Sequence, residues 1–338
     1  MTIAVDANGA DQGPGAVARG AARACVRVLL YGPAGELGPP GENVEIVDAP
    51  VSIAKAVDPA RAVRSTPESS IVQAVRAVAE GRADALVSGG STGTALAASL
   101  FEFKRARGVH RPALALVVPV PGAPFLLLDA GANVEARSEH LVQFAHMGAA
   151  FMEVVMGVAS PRVALLSNGE EAGKGREEVV AAHAALAGHP SFVGNVEGFA
   201  VGTGAADVIV ADGFTGNVAL KVMEGTSAAL LGAVRSAAMS SSRAKLGGLL
   251  LRPSLRGLRS QIDPQEQGGA VLLGLRKLVV VPHGSFGEAG FARAIEVAAR
   301  GVREDVIGRT HERLAAAGAL RRTRGAPSEA AATVPDQP

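Results

Sequence analysis

Two turns in this chain place small and hydroxyl-bearing residues where an anion could be held. Ser88-Gly89-Gly90-Ser91-Thr92-Gly93-Thr94 and Asp212-Gly213-Phe214-Thr215-Gly216-Asn217 each follow an apolar run and open a helical pattern. Glycine lets the backbone approach a ligand closely, and the unpaired N–H groups of a helix start favour negative charge. Neither turn carries the Gly-x-x-x-x-Gly-Lys-Ser/Thr of a P-loop or the Gly-x-Gly-x-x-Gly of a dinucleotide site, so a phosphate-sized anion is expected rather than a nucleotide. A third cluster is Glu170-Glu171-Ala172-Gly173-Lys174-Gly175. Its carboxylates and lysine could orient a substrate, hold a metal or pair with one another. A metal site would ordinarily want more carboxylates or a histidine in step. His283, followed by Gly284 and Ser285, stands after an apolar run where a catalytic or phosphate-binding histidine would be useful. His140 lies in the first turn of a helical pattern, near Asn133 and Glu135. Direct attack by a bound nucleophile is expected rather than a covalent acyl-serine.

These residues need elements to hold them. Ile3–Val5, Ala85–Val87, Phe125–Leu128, Val163–Leu166, Val208–Ala211 and Leu278–Val281 are short apolar runs, each ending in a polar or Gly-rich turn. Strands apolar throughout and alternating with helices predict a mostly parallel sheet covered on both faces, with ligands beyond the carboxyl ends of the strands. Helices are expected at Ala16–Val28, at Ile71–Glu80 and from the N-cap Ser138 to Met156. Cys25 falls in the first of these and reads as a small buried hydrophobe.

From Val218 to Ser242 a helical pattern runs on without a strand, and six leucines and four basic residues then fall between Lys245 and Arg259. The segment at about 225–262 reads as a helical arm, serving a subunit interface or an anionic lipid surface, or else folded onto the core. With 338 residues and 48% hydrophobic side chains, one large α/β domain over 1–324 is expected, followed by a disordered tail at 325–338. A net charge of +1, with no Trp and a single Tyr, argues against nucleic-acid binding. One cysteine excludes an internal disulfide and fits a reducing cytoplasm. No apolar run reaches the roughly 18 residues that a transmembrane helix needs.

The motifs, in this order, resemble the PlsX family, the phosphate acyltransferases of bacterial phospholipid synthesis. The resemblance covers about residues 2–304 and rests on Ile3-Ala4-Val5-Asp6-Ala7-x-Gly9-x-Asp11, Ser69-Ser70, Ala83-Asp84-Ala85-x-Val87-Ser88-x-Gly90-x-Thr92-Gly93 and Arg111-Pro112-Ala113. It continues through Asp129-x-Gly131-Ala132-Asn133, Glu139-His140-Leu141-Val142-Gln143-Phe144-Ala145, Gly169-Glu170-Glu171, Lys174-Gly175 and Phe192-x-Gly194-Asn195-Val196-Glu197-Gly198. It closes with Ala206-Asp207-Val208-x-Val210-x-Asp212-Gly213-Phe214-Thr215-Gly216-Asn217 and His283-Gly284-Ser285. Gly-Asn-Val-Glu-Gly followed at this spacing by Asp-Gly-Phe-Thr-Gly-Asn is the most specific part. The chain departs from the family at Asn8, Ala10 and Gln12, which replace a Met, a Gly and a His, and at Ser91, which replaces an Asn. Ser65-Thr66-Pro67 stands where relatives often carry lysine.

The resemblance implies a three-layer α/β/α fold like phosphotransacetylase and isopropylmalate dehydrogenase, with no cofactor and no metal. It implies reversible transfer of a fatty acyl group from acyl-acyl carrier protein to inorganic phosphate, giving acyl-phosphate. It also implies a cytoplasmic homodimer with peripheral membrane contact through Leu246, Leu249, Leu250, Leu251, Leu255 and Leu258, its product feeding a membrane glycerol-phosphate acyltransferase. Phosphate would then sit at Ser88, Ser91, Thr92 and Gly93 and at Asp212, Gly213, Phe214, Thr215 and Gly216. Asp6, Ser69, Arg111, His140, Glu170 and Glu171 complete the expected substrate contacts, with Arg111, Lys174 or His283 as positive partners. Asn133, Asn195 and Asn217 are the expected oxyanion donors, and His283 or Glu197 would manage protons. A phosphotransacetylase acting on short acyl-CoA and a non-catalytic membrane protein are the competing readings; a dehydrogenase is disfavoured by the missing nucleotide fingerprint.

Overall fold

The computed structural model describes residues 1–321. The chain runs through β1 (Thr2–Asp6), α1 (Pro14–Ala22), β2 (Arg27–Gly32), α2 (Ala34–Leu37), β3 (Val44–Asp48), α3 (Pro59–Ser65), α4 (Ser70–Ala79), β4 (Ala85–Ser88) and α5 (Thr92–Glu102). It continues with β5 (Ala113–Val118), β6 (Phe125–Leu128), α6 (Ser138–Val154), β7 (Val163–Ser167), α7 (Glu177–Leu186), β8 (Phe192–Glu197) and β9 (Val208–Val210). Two long helices follow, α8 (Gly213–Met239) and α9 (Ser242–Gln261), then β10 (Ala270–Leu273), β11 (Leu278–Val281), α10 (Glu288–Arg303) and α11 (Val306–Ala316).

Successive strand residues point to opposite faces, so a run that is apolar throughout must be covered twice. Ile3 and Val5 enter one core and Ala4 the other; Leu126 and Leu128 enter the first, Phe125 and Leu127 the second. Helices α1, α6, α7, α10 and α11 cover the first face, and α3, α4 and α5 the second. The result is the three-layer α/β/α arrangement that the strand pattern predicts.

All eleven strands form one sheet in the order β3-β2-β1-β4-β11-β10-β5-β6-β9-β7-β8. Its pairings divide it. β3, β2, β1, β4 and β11 are parallel to one another, and so are β6, β9, β7 and β8. Three antiparallel pairings, β11–β10, β10–β5 and β5–β6, lie between them. The two parallel blocks therefore run in opposite directions. The expectation of a single row of carboxyl ends is corrected here, because three reversals separate the block ending at Ser88 from the block ending at Ser167.

Three local expectations also change. Helix α1 stops at Ala22, because the Asn43 amide donates to the carbonyls of Ala21, Ala24 and Val26 and turns the chain into β2. Cys25 lies on that turn and is exposed, not buried. Helix α6 begins at Ser138 itself, with Arg137 as its N-cap. The tail expected to be disordered, 325–338, lies outside the described residues. Among the described residues no helix is long and apolar enough to cross a membrane.

Candidate active site

A cleft of about 560 Å³ lies where the two blocks meet. Leu114 and Leu116 of β5 and Ala270 of β10 line it, so its floor is the central antiparallel segment. One wall comes from the ends of β1, β4 and β11, with Gly9, Asp11, Gly90, Ser91, Thr92, Pro282 and His283. The other comes from Gly131 and from Asn217, Leu220, Lys221 and Glu224 of α8. Lys55, on the loop between β3 and α3, stands at the same opening.

The Ser88–Gly93 turn is closed by a serine N-cap that leaves two backbone donors uncommitted. The Ser91 hydroxyl accepts from the Thr94 N–H at 3.3 Å and lies 2.9 Å from the Thr94 hydroxyl, while Ala95 N–H donates to the Ser91 carbonyl. The N–H groups of Thr92 and Gly93, ahead of the first intrahelical bond, have no protein acceptor among the described residues. Ser91 thus serves as an N-cap, a role that Ser fills as well as Asn. Gly89-Gly90-Ser91-Thr92-Gly93 also has the Gly-x-Ser-x-Gly spacing of a nucleophile elbow, but Ser91 has ordinary extended angles (φ −72, ψ 147) and its hydroxyl is committed to the cap. Ser52-Ile53-Ala54-Lys55 has the Ser-x-x-Lys spacing on a loop, where the Ser52 hydroxyl accepts from the Ala54 N–H.

Beneath the turn sits Asp6, 2% exposed. Its carboxylate accepts from the hydroxyls of Ser70 (2.6 Å) and Ser88 (2.9 Å) and from the Asn8 N–H (3.2 Å). The Ser88 hydroxyl in turn accepts from the Gly90 N–H. Burial pushes the Asp6 carboxyl up to about 6, against the lowering effect of these hydrogen bonds. Asp6 therefore supports the turn from below and does not face the cleft. Ser69, fully buried, donates to the Thr66 carbonyl and is likewise structural. Two of the departures have jobs here. The Asn8 amide donates to Ser70 Oγ and to the Ala49 carbonyl, and Gln12 donates to the Ser285 carbonyl.

The Asp212–Asn217 turn differs from its look-alike. Gly213 N–H donates to the Asn133 carbonyl, Thr215 N–H and hydroxyl donate to the Asp212 carboxylate, and Arg176 pairs with Asp212. Only the Phe214 N–H in this first turn lacks a protein acceptor among the described residues, and the Phe214 ring is 61% exposed. The glycines serve packing. A Cβ on Gly213 would lie 2.5 Å from the Asn133 carbonyl oxygen, and one on Gly216 would lie 2.0 Å from that of Asp129. The helix start is pressed onto the loop after β6, so it has fewer uncommitted N–H groups than the Ser88–Gly93 turn.

That loop is organised by Asp129, which is fully buried. Its carboxylate accepts from the N–H groups of Leu114, Gly131, Ala132 and Asn133 and from the Asn133 amide. Burial raises its carboxyl above the usual range in spite of them. The Asn133 amide also donates to the Pro112 carbonyl, so both its hydrogens are committed. Asn195 is similarly engaged, with the Glu171 carbonyl and the His183 ring. Of the three asparagines expected as oxyanion donors, Asn217 alone lines the cleft.

His283 lines it too. Its Nδ1 lies 2.7 Å from the Ser285 hydroxyl and accepts from the Ser285 N–H at 3.3 Å. A neutral ring so held carries its proton on Nε2 and is a donor there.

The remaining expected residues lie elsewhere. Glu170, Glu171, Lys174 and Glu197 are exposed at the ends of β7 and β8. None of them lines the cleft or the second cavity, of about 430 Å³, which is lined by Leu141, Leu166, Asn168, Arg176, Asp212 and Thr215 among others. Arg111 is exposed near His110 and His140. Among the described residues, His110, Glu139 and His140 are the one trio spaced for a metal. His140 Nδ1 accepts from the Arg137 N–H, so the neutral ring is protonated at Nε2 and has no lone pair left to offer unless it gives up that cap. Burial holds both imidazoles below their ordinary value. Sequence reasoning missed Lys55, Asp11, Lys221 and Glu224. Asn217, Lys221 and Glu224 recur at helical spacing, which would have revealed the α8 face; the Ser-x-x-Lys spacing at Lys55 does not point to this cleft.

The family described as fatty acid synthesis protein matches residues 1–309. A phosphate acyltransferase of Heliobacterium modesticaldum is 44% identical over 327 residues, 93% of this chain and 98% of that protein. One from Geobacillus thermodenitrificans is 44% identical over 318 residues, 91% of this chain and 97% of that protein. A phosphotransacetylase from Streptococcus pyogenes shares the fold with a TM-score of 0.60 at 17% identity, over 90% of this chain and 94% of that one. The EutD phosphotransacetylase from Staphylococcus aureus gives 0.57 at 17% identity, over 89% and 94%. With a family match across most of its length and relatives this similar end to end, the chain belongs to the PlsX family of phosphate acyltransferases.

Proposed function

We propose that the cleft transfers a fatty acyl group, reversibly, from acyl-acyl carrier protein to inorganic phosphate. Hydrogen phosphate sits at the start of α5, and one of its oxygens attacks the thioester carbonyl carbon. The C–S bond breaks, the proton of hydrogen phosphate passes to the sulfur, and acyl-phosphate and the free carrier thiol leave. The observation that carries this reading is the pair of uncommitted N–H groups at Thr92 and Gly93, the first of them on a residue that lines the cleft with Asn217 and His283. In this reading the Asn217 amide and the His283 Nε2–H donate to the developing oxyanion, which their shared place in the cleft lining supports. The ring acts as donor rather than base, because its Nδ1 is occupied. Leu114, Leu116, Leu220 and Phe286 supply an apolar lining for the carbon chain next to the reacting atoms.

The test is phosphate-dependent thiol release from palmitoyl-acyl carrier protein, with acetyl-CoA offered alongside. Loss of one oxyanion donor typically lowers kcat by about 10²- to 10³-fold. Asn217→Ala and His283→Ala should each fall in or near that range while remaining folded; wild-type turnover in both would overturn the site. Preference for acetyl-CoA would favour a short-chain phosphotransacetylase. We further propose that α8 and α9 form the arm of a cytoplasmic homodimer that contacts the membrane, where acyl-phosphate serves phospholipid synthesis. The exposed Leu246, Leu249, Leu250, Leu251, Leu255 and Leu258 support this.

A further inference from the structure

The cleft has more positive charge than the residues so far given a role, and its distribution is uneven. Lys221 is neutralised by Glu224, with Nζ 2.7 Å from the carboxylate. Asp11 also lines the cleft, its carboxylate beside Gly284, and adds negative charge. Lys55 has no carboxylate partner among the described residues. A helix start presents only about half a positive charge, too little to balance a phosphate dianion in a cleft that already contains Asp11.

The backbone of Lys55 is fixed over the anion turn. Its neighbour Ala54 is wedged against two glycines of that wall: a Cβ on Gly9 would fall 2.5 Å from the Ala54 methyl, and one on Gly90 would fall 3.4 Å from it. Gly9 has φ +96, a conformation suited to glycine, which keeps the space open for Ala54. Four residues on, Pro59 at the start of α3 packs against Gly93, with 3.3 Å between Pro59 Cγ and a Cβ built there. The Ala56 N–H closes a turn onto the Ile53 carbonyl, and Asp58 caps α3 through the Arg61 N–H. The loop is thus pinned to the β1 and β4 turns on one side and to α5 on the other, with the Lys55 side chain free at the opening between them.

We infer that Lys55 is the cation that binds the phosphate acceptor, closing over the Thr92 and Gly93 N–H groups from the loop side. This rests on the cleft being the transfer site. The same phosphoryl chemistry occurs in the phosphopantetheine arm of the carrier, and kinetics separate the two sources. Lys55 is exposed, so substitution should leave folding intact. In Lys55→Gln the KM for inorganic phosphate should rise at least about tenfold, with kcat and the KM for palmitoyl-acyl carrier protein within about threefold of wild type. Lys55→Arg should restore much of the loss, because it keeps the charge. A phosphate KM unchanged within about twofold overturns the inference, as does a rise confined to the KM for the carrier. Wild-type enzyme that releases thiol independently of phosphate would sink the transfer-site reading itself, and this role for Lys55 with it.

Discussion

Asp6 shows how a residue's type can be right and its role misread. An aspartate at the end of the first strand looks like a ligand-binding group. Here it is sealed below the cleft, and its three hydrogen bonds set the height of the Ser88 turn. Its value near 6 stands above the ordinary 3.8, so between those values the folded chain holds a proton that the unfolded chain has lost. The stability it contributes is complete below about pH 3.8 and disappears as pH rises through 6. That difference amounts to about 3 kcal/mol. Asp6→Asn cannot ionise. From about pH 4 to pH 7 the wild type should therefore lose about 2 kcal/mol of this relative to the variant, as urea-unfolding curves will show; parallel pH profiles would mean that Asp6 titrates normally. The three asparagines teach the same lesson. In sequence Asn133, Asn195 and Asn217 are equivalent candidates. Pro112 ahead of β5 and Asp129 of its own loop engage the first, and Glu171 after β7 and His183 of α7 the second.

Helix α8 joins the specific motif to the cleft. Its first turn is docked by two glycines so closely that the Gly213 N–H donates to the Asn133 carbonyl of the β6 loop. Gly216→Ala must push the helix off the Asp129 carbonyl, and overpacking of this kind costs about 1–3 kcal/mol or more. Because Asn217 and Lys221 ride on the same helix, activity should fall with it. Gly232, farther along α8, has open space around its Cβ position. Gly232→Ala should be neutral or stabilising by up to about 1 kcal/mol, from helix propensity alone. Thermal unfolding of the pair checks this: equal melting temperatures would show that the close approach at Gly216 relaxes without cost. The α8 cleft face was legible as a period of three and four residues. The N-terminal docking was not, since a Gly-rich helix start reads the same whether its N–H groups meet an anion or a loop.

Across the whole molecule, two parallel blocks of opposite direction meet at three antiparallel pairings, and the cleft opens over that junction. The paired helices α8 and α9 leave Leu246, Leu249, Leu250 and Leu251 more than half exposed. The proposed membrane contact rests on this exposed apolar surface. Replacing Leu249, Leu250 and Leu251 with serine should abolish co-sedimentation with anionic liposomes while thiol release from soluble carrier continues; undiminished co-sedimentation would refute the membrane arm. The order of apolar runs and turns was enough to determine the α/β/α layering, the helical arm and the family, because strand and helix periodicities and motif order are properties of the chain itself. Which expected residues share a site was decided only by the tertiary structure. A crevice rule assumes that strands point the same way, and the reversals at β10, β5 and β6 are long-range pairings that no local pattern records. They divide the candidates between two cavities, leaving the Ser88–Gly93 turn with Asn217 and His283, and Asp212 with Arg176 on the far side of the helix start.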